Sequence, residues 1–237
     1  MGEKTKALKA AFPVTIPVMM GYLFIGVAFG MLMAGKGFSF VWSAVMSLFV
    51  YAGSMQFVAS NFLAGSANWA SIALITVMVN VRHVFYGLSM LQRFQNMGGK
   101  KPYMIFSLTD ETFSLFCSAK APQGVDPNWF LFFIALLDQF YWVAGSALGG
   151  LIGSLVPFST KGIDFAMTAL FTVIFIEQWQ SCKKHLPAAA GVLASVLCLL
   201  LFGASNFTIP AMIAIVLILT AYYRSPAVGN GGWKNAE

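Results

Sequence analysis

Asp138 stands inside the apolar run Ile134-Ala135-Leu136-Leu137-Asp138-Gln139-Phe140-Tyr141-Trp142, with no basic residue in the same segment. A lone carboxyl in such a run is costly to leave facing lipid, so it marks a cavity, a proton site or a cation site. Three further polar groups interrupt apolar stretches: Asn80-Val81-Arg82-His83, Thr109-Asp110-Glu111-Thr112, and Glu177 with its neighbour Gln178. A fourth, Tyr51-Ala52-Gly53-Ser54-Met55-Gln56, combines small residues with two polar side chains. If the chain breaks there, it exposes backbone N–H donors, and a half-helix N-terminus attracts an anion such as an amino acid's carboxylate.

Each group also has a purely structural reading. Arg82 lies nine residues before Leu91, about 14 Å from the end of its segment at 1.5 Å per residue. That is a long way to snorkel, so it is expected to face a cavity or pair with a carboxylate. His83 titrates near neutral pH in its ordinary state, but a structural hydrogen bond explains it as well. Asp110 and Glu111 are adjacent, and helical neighbours point about 100° apart, so at most one aims directly into a shared cavity. They either fix two helices together through Arg82 or supply a proton-titrating or ammonium-binding carboxylate, and Ser107 and Thr109 are placed to satisfy backbone groups if the helix is interrupted. Glu177 could be an interfacial charge beside Lys183 and Lys184. Gly53 and Ser54 could serve only close helix packing.

The elements that must position these residues follow from composition. The chain has 237 residues, 59% hydrophobic and only 9% charged, with a mean hydropathy of +0.78. A soluble domain carries about 25% charged residues. Soluble enzymes, nucleic-acid binders and disordered tails are excluded, and the fold class is an all-α polytopic membrane protein. Each membrane helix needs roughly 20 apolar residues, which gives six to eight membrane segments in a single transmembrane domain. The net charge of +6 reports orientation rather than nucleic acid. Cys117, Cys182 and Cys198 have no metal-binding spacing and read as buried free thiols. The N-terminal Lys4, Lys6 and Lys9 precede an apolar run too long for a signal peptide and lacking a cleavage site, so it reads as a first membrane helix.

Eight apolar segments emerge: about Val14–Ala34, Phe38–Ala64, Trp69–Leu91, Tyr103–Ala119, Trp129–Leu155, Ile163–Gln180, Leu186–Gly203 and Phe207–Tyr223. If all eight cross, Lys4, Lys6, Lys9, Lys120, Lys183, Lys184, Arg224 and Lys234 fall inside, against Lys36, Arg93, Lys100, Lys101 and Lys161 outside. If segments two and six are re-entrant, Arg93, Lys100, Lys101 and Lys161 move inside, Lys120 moves outside, and only Lys36 accompanies it. The positive-inside rule prefers the second arrangement. Segment two carries Met46-Ser47-Leu48-Phe49 and Gln56, and segment six Met167-Thr168-Ala169-Leu170 and Gln178. Gly26 and Gly30 in segment one likewise match Gly145, Gly149 and Gly153 in segment five. These matches suggest repeats over 10–120 and 126–224. With three crossings each, the halves would be inverted and would carry discontinuous or re-entrant segments, a secondary-transporter pattern.

Metalloprotease, nucleophile-elbow and P-loop signatures are absent, and two histidines cannot build a multi-histidine metal centre. No metal or cofactor is expected. Ala11-Phe12-Pro13-Val14 with Gly21 and Gly26-x-Ala28-Phe29-Gly30 opens a series of motifs. It continues through Tyr51-Ala52-Gly53-Ser54-Met55-Gln56-Phe57, Asn80-x-Arg82-His83-x-Phe85-Tyr86-Gly87 and Thr109-Asp110-Glu111-Thr112. In this order and spacing they resemble the AzlC family, the large subunit of bacterial branched-chain amino acid exporters, over essentially the whole chain. The resemblance implies export of leucine, isoleucine and valine, a small AzlD-like membrane subunit as partner, and residence in the bacterial cytoplasmic (inner) membrane.

Without an ATP-binding motif, an exporter must couple to a gradient or run downhill. The leading expectation is a non-enzymatic secondary carrier, with both termini cytoplasmic. Its substrate-binding or coupling residues are expected among Asp138, Asp110, Glu111, Arg82, His83, Asn80, Gln56, Ser54 and Glu177. A passive channel would need a more continuous polar lining. An intramembrane acid-dependent hydrolase would need a second aspartate motif in a glycine context.

Overall fold

A computed structural model describes residues 2–65, 68–155, 185–203 and 207–224, with single helical positions between 172 and 180. The described residues form helices and no strands, and a helix satisfies its backbone internally where lipid offers no hydrogen bonds. They divide into two compact units, Met1–Leu170 and Phe171–Glu237.

The first unit is built on α1 (Glu3–Gly35), α4 (Trp69–Met90) and α7 (Pro127–Leu155). These are the described helices long and apolar enough to cross a membrane. At 33, 22 and 29 residues they are about 50, 33 and 44 Å long, against a hydrocarbon core of about 30 Å. Between them lie two pairs of shorter helices, α2 (Phe40–Phe49) with α3 (Gly53–Ala64), and α5 (Lys101–Phe106) with α6 (Asp110–Ser118).

The glycines of segments one and five bring α1 and α7 into backbone contact. A Cβ on Gly149 would lie 2.6 Å from Val27 Cα, and one on Gly145 would lie 3.0 Å from the Tyr22 and Leu23 carbonyl oxygens. Gly30 faces Ser146, Gly149 and Gly150, and Gly153 faces Met31 and Ala34. Small residues let two membrane helices approach this closely, which is where their van der Waals attraction comes from. Position rises along both helices together: Lys4 lies over Trp129, Ala11 shares a core with Phe130, Ile134 and Ala135, and Met31 meets Gly153. The helices are therefore parallel.

Both short pairs are hairpins that return to the end they left. In α2, Phe40 abuts Gly150, and further along Ser47 bonds Ser146. After a break, α3 runs back until Ser60 and Asn61 meet Lys36, at the C-terminal end of α1. At the opposite end, Lys100 lies over the Trp129 ring. From there α5 climbs to Tyr103, which bonds Gln139 at 2.7 Å, and α6 descends until Arg93 donates to the carbonyls of Phe116 and Ala119. Met90, which ends α4, and Phe94 just after it join the core around Ala11 and Phe130, so α4 runs opposite to α1. A long helix followed by a returning hairpin thus occurs twice, in opposite senses.

Segment two is broken and returns to its starting end, as the charge count expected. Segment four does so too, which the sequence reading did not foresee. Lys120 consequently follows the N-terminal end of α1, together with Lys4, Arg93 and Lys100, rather than the Lys36 end. The inversion expected between segments one and five is also corrected. With α4 as the one net return between them, α7 must repeat the direction of α1. Most of segment six, including Glu177 and Gln178, lies outside the described residues.

In the second unit, α8 (Leu186–Phe202) and α9 (Thr208–Arg224) pack against each other, burying Ala194, Cys198 and Ala211. Gly203 ends α8 with φ of 72°, a left-handed geometry that glycine adopts without strain. His185 stacks on Trp179 at 4.2 Å between ring centres. Cys198 is a buried free thiol as expected, but Cys117 is exposed on α6, and Cys182 lies outside the described residues.

The hairpin geometry has a direct labelling consequence. In chains otherwise free of cysteine, Lys100→Cys and Lys120→Cys should react with an impermeant thiol reagent from the same side of the membrane, and Lys36→Cys from the other. Labelling of positions 36 and 120 from one common side would contradict the return of α5 and α6.

Candidate functional site

The two hairpin tips meet. The first break, Val50-Tyr51-Ala52, places Tyr51 in left-handed backbone at φ 42°, a strained conformation for a bulky side chain. Gly53 follows with Trp142 so close that a Cβ would lie 3.2 Å from its ring. The second break is Ser107-Leu108-Thr109. Here Thr109 caps α6 by accepting from the Thr112 N–H at 3.2 Å, the usual remedy for a free helix end. Rings of Tyr51 and Phe106, one from each tip, lie 6.2 Å apart.

Arg82 on α4 ties the starts of both second half-helices together. It pairs with Asp110 of α6 at 2.6 Å and donates to the hydroxyl of Ser54 in α3 at 2.8 Å. Tyr86 donates to the other Asp110 oxygen at 2.6 Å. The Arg82 Nε is buried and unpartnered among the described residues. Of the two adjacent carboxylates, Arg82 therefore holds Asp110 and not Glu111.

Glu111 belongs to a second group. Tyr22 of α1 donates to it at 2.7 Å, and the same hydroxyl lies 2.6 Å from that of Thr109. Thr109 and Thr112 hydroxyls are 3.0 Å apart, and Thr112 donates to Asp138 Oδ2 at 2.9 Å. Asp138 is fully buried, and its Oδ1 has no partner among the described residues.

The remaining expected site residues are placed differently. Gln56 is buried as a brace, accepting from the Trp142 indole at 2.8 Å and donating to Ser47 at 3.0 Å. Asn80 donates to the Thr76 carbonyl within α4. The His83 ring donates through Nδ1 to the Asn80 carbonyl at 3.1 Å and sets its edge against Tyr86. The sequence reading missed Tyr22, Tyr86, Tyr103 and Gln139. A polar aromatic within an apolar helix is itself a signal, since a buried Tyr hydroxyl finds a partner.

Broken segments meeting from opposite ends, with charged groups gathered at the meeting point, make this a polytopic membrane protein whose arrangement is one that transporters use. The AzlC protein family matches residues 17–156, which span both polar groups. The chain is 52% identical to the branched-chain amino acid transport protein AzlC of Bacillus subtilis, over 90% of this chain and 84% of that one. It is 43% identical to an uncharacterized membrane protein of Haemophilus influenzae, over 91% of this chain and 89% of that one. It is 33% identical to the inner membrane protein YgaZ of Escherichia coli, over 84% and 82%. No solved structure matches. The chain belongs to the AzlC family.

The Arg82–Asp110 pair is mostly shielded, with side-chain exposures of 27% and 19%. Removing either partner leaves a charge stranded near a hairpin tip, so Arg82→Gln and Asp110→Asn should each lower thermal stability in detergent. The double variant should be more stable than the sum of the two losses implies, by about 0.5–3 kcal/mol of coupling. Strict additivity would show that the pair does not hold α4 to α6.

Proposed function

We propose that this chain is the large membrane subunit of an exporter for branched-chain amino acids, working as a proton-driven secondary carrier. The observation that carries this reading is Asp138. It is fully buried at the level where the hairpin tips meet, bonded by one neutral hydroxyl and open at its other oxygen. A carboxyl so placed can take up and release a proton as access alternates between the two ends.

The substrate is a zwitterion with a short aliphatic side chain. Its carboxylate suits the N-terminal N–H groups of α3, where Ala52 offers no side-chain cap and Arg82 reaches Ser54. Its ammonium suits Asp138 or Glu111, and its aliphatic part the rings of Tyr51, Phe106 and Trp142. The name of the Bacillus subtilis relative supports this substrate class.

We place the chain in the bacterial inner membrane with both termini cytoplasmic, which requires the segments after α7 to cross an odd number of times. Lys4, Lys6, Lys9, Arg93, Lys100, Lys101 and Lys120 gather toward the N-terminal end of α1, opposite Lys36, which supports a cytoplasmic N-terminus. A small AzlD-like membrane subunit is its partner. The outward face of α4, with Val77, Val81, Val84, Phe85 and Leu88 exposed, offers it an apolar surface.

The test compares net efflux with exchange in leucine-loaded vesicles. Asp138→Asn, at equal membrane abundance, should abolish proton-driven net leucine efflux while leucine–leucine exchange survives. Unchanged pH-dependent net efflux would move the coupling role away from Asp138. Non-saturating flux without counterflow would replace the carrier with a channel.

A further inference from the structure

Glu111 and Asp138 are joined by an unbroken chain of oxygens: Glu111 Oε2, Tyr22 OH, Thr109 Oγ1, Thr112 Oγ1 and Asp138 Oδ2, with successive separations of 2.7, 2.6, 3.0 and 2.9 Å. Each separation is a hydrogen-bond distance. Each hydroxyl has one hydrogen to donate. If both carboxyls are ionised, Tyr22 donates to Glu111, Thr112 to Asp138 and Thr109 to Thr112. The closest contact of all, Tyr22 to Thr109, then has no hydrogen in it, and turning the Thr109 hydrogen toward Tyr22 only moves the gap to the Thr109–Thr112 contact. Two oxygens pressed together in a buried place without a proton between them are a costly arrangement.

One added proton removes the defect. If it sits on Glu111, then Glu111 donates to Tyr22, Tyr22 to Thr109, Thr109 to Thr112 and Thr112 to Asp138. If it sits on Asp138, every bond reverses: Asp138 donates to Thr112, Thr112 to Thr109, Thr109 to Tyr22 and Tyr22 to Glu111. In both cases each contact holds one hydrogen, and each hydroxyl donates once. Passage between the two states moves each hydrogen along one link, and the net change is one proton transferred between carboxyls. A second proton would have to point outside the chain. On Asp138 that means Oδ1, which meets no acceptor among the described residues.

We propose that Glu111 and Asp138 hold a single proton between them, relayed through the hydroxyls of Tyr22, Thr109 and Thr112. The other titratable groups facing the two carboxyls are Tyr51, Tyr103, Asp110 and Arg82. Asp110 is committed to Arg82 and Tyr86 and stays outside the chain. The relay links α6, at a hairpin tip, to α7 and α1, which form the fixed seam. On the carrier reading above it is the path by which the transported proton passes the meeting point of the hairpins, and Tyr22, Thr109 and Thr112 are its positioning residues.

The test counts protonated carboxyls by infrared difference spectroscopy on the full chain in lipid at neutral pH, using the carbonyl band that shifts on deuterium exchange. Asp138→Asn and Glu111→Gln should each remove the same, whole band, because the amide NH2 that replaces either carboxyl fills the chain and leaves the other ionised. Thr112→Val, which deletes one link and keeps the shape, should shift the band, and Thr112→Ser should restore it. The Thr112 pair carries the test if the carboxyl variants do not fold. Separate partial losses in the two carboxyl variants, no band in the wild type, or a band indifferent to Thr112→Val would overturn the proposal. None of these readouts uses transport, so they are distinct from the efflux test of Asp138.

Discussion

The first unit depends on the contact of two backbones. Gly26, Gly30, Gly145, Gly149 and Gly153 remove the side chains that would hold α1 and α7 apart, and the surrounding carbonyls and Cα atoms fill that space. In lipid there is no hydrophobic drive to push helices together, so close approach has to supply the attraction. Extra bulk in such a seam typically costs about 1–3 kcal/mol. The seam also sets a level: it puts Tyr22 of α1 beside Trp142 of α7, with ring centres 5.3 Å apart. Asp138 lies one turn earlier on the same helix.

Against that fixed pair, the hairpins have one way to satisfy themselves. A helix that stops within a membrane leaves N–H and C=O groups with no water to meet them. At the tip of the second hairpin, Thr109 supplies a cap. The first hairpin braces its return through Gln56, which joins Ser47 to Trp142 and so to the seam. Arg82 then bridges the two half-helix starts, Ser54 in one and Asp110 in the other. Charge, broken backbone and buried carboxyl all arrive at one level because the same contacts place each of them. The proposed carrier site needs this concurrence, and neither hairpin could supply it alone.

Much of this was legible in the sequence. The glycine spacing marked the helices that pack, Tyr51–Gln56 marked a break, and Ser107 with Thr109 marked where a second interruption could be satisfied. Asp138 stood out through its isolation. Direction was not legible, because an apolar segment reads the same in either sense and Lys120 alone was too little charge to show that segment four turns back. The match of glycines in segments one and five reflects their contact with each other rather than an inverted equivalence. The division of labour between Asp110 and Glu111 was also hidden. Adjacent residues diverge by about 100° on a helix, and only the placement of Tyr22 and Arg82 on neighbouring helices decides which partner each one meets.

The central claim is that the polar groups at the hairpin tips couple a proton to an amino acid. Its most direct measurement is accumulation in sealed vesicles containing the purified chain, with and without the small subunit proposed as its partner, under an imposed pH gradient. Leucine should concentrate beyond equilibrium in the compartment that the gradient dictates, and a protonophore should collapse that accumulation. Leucine that only equilibrates, at the same rate with and without the gradient, would contradict the account.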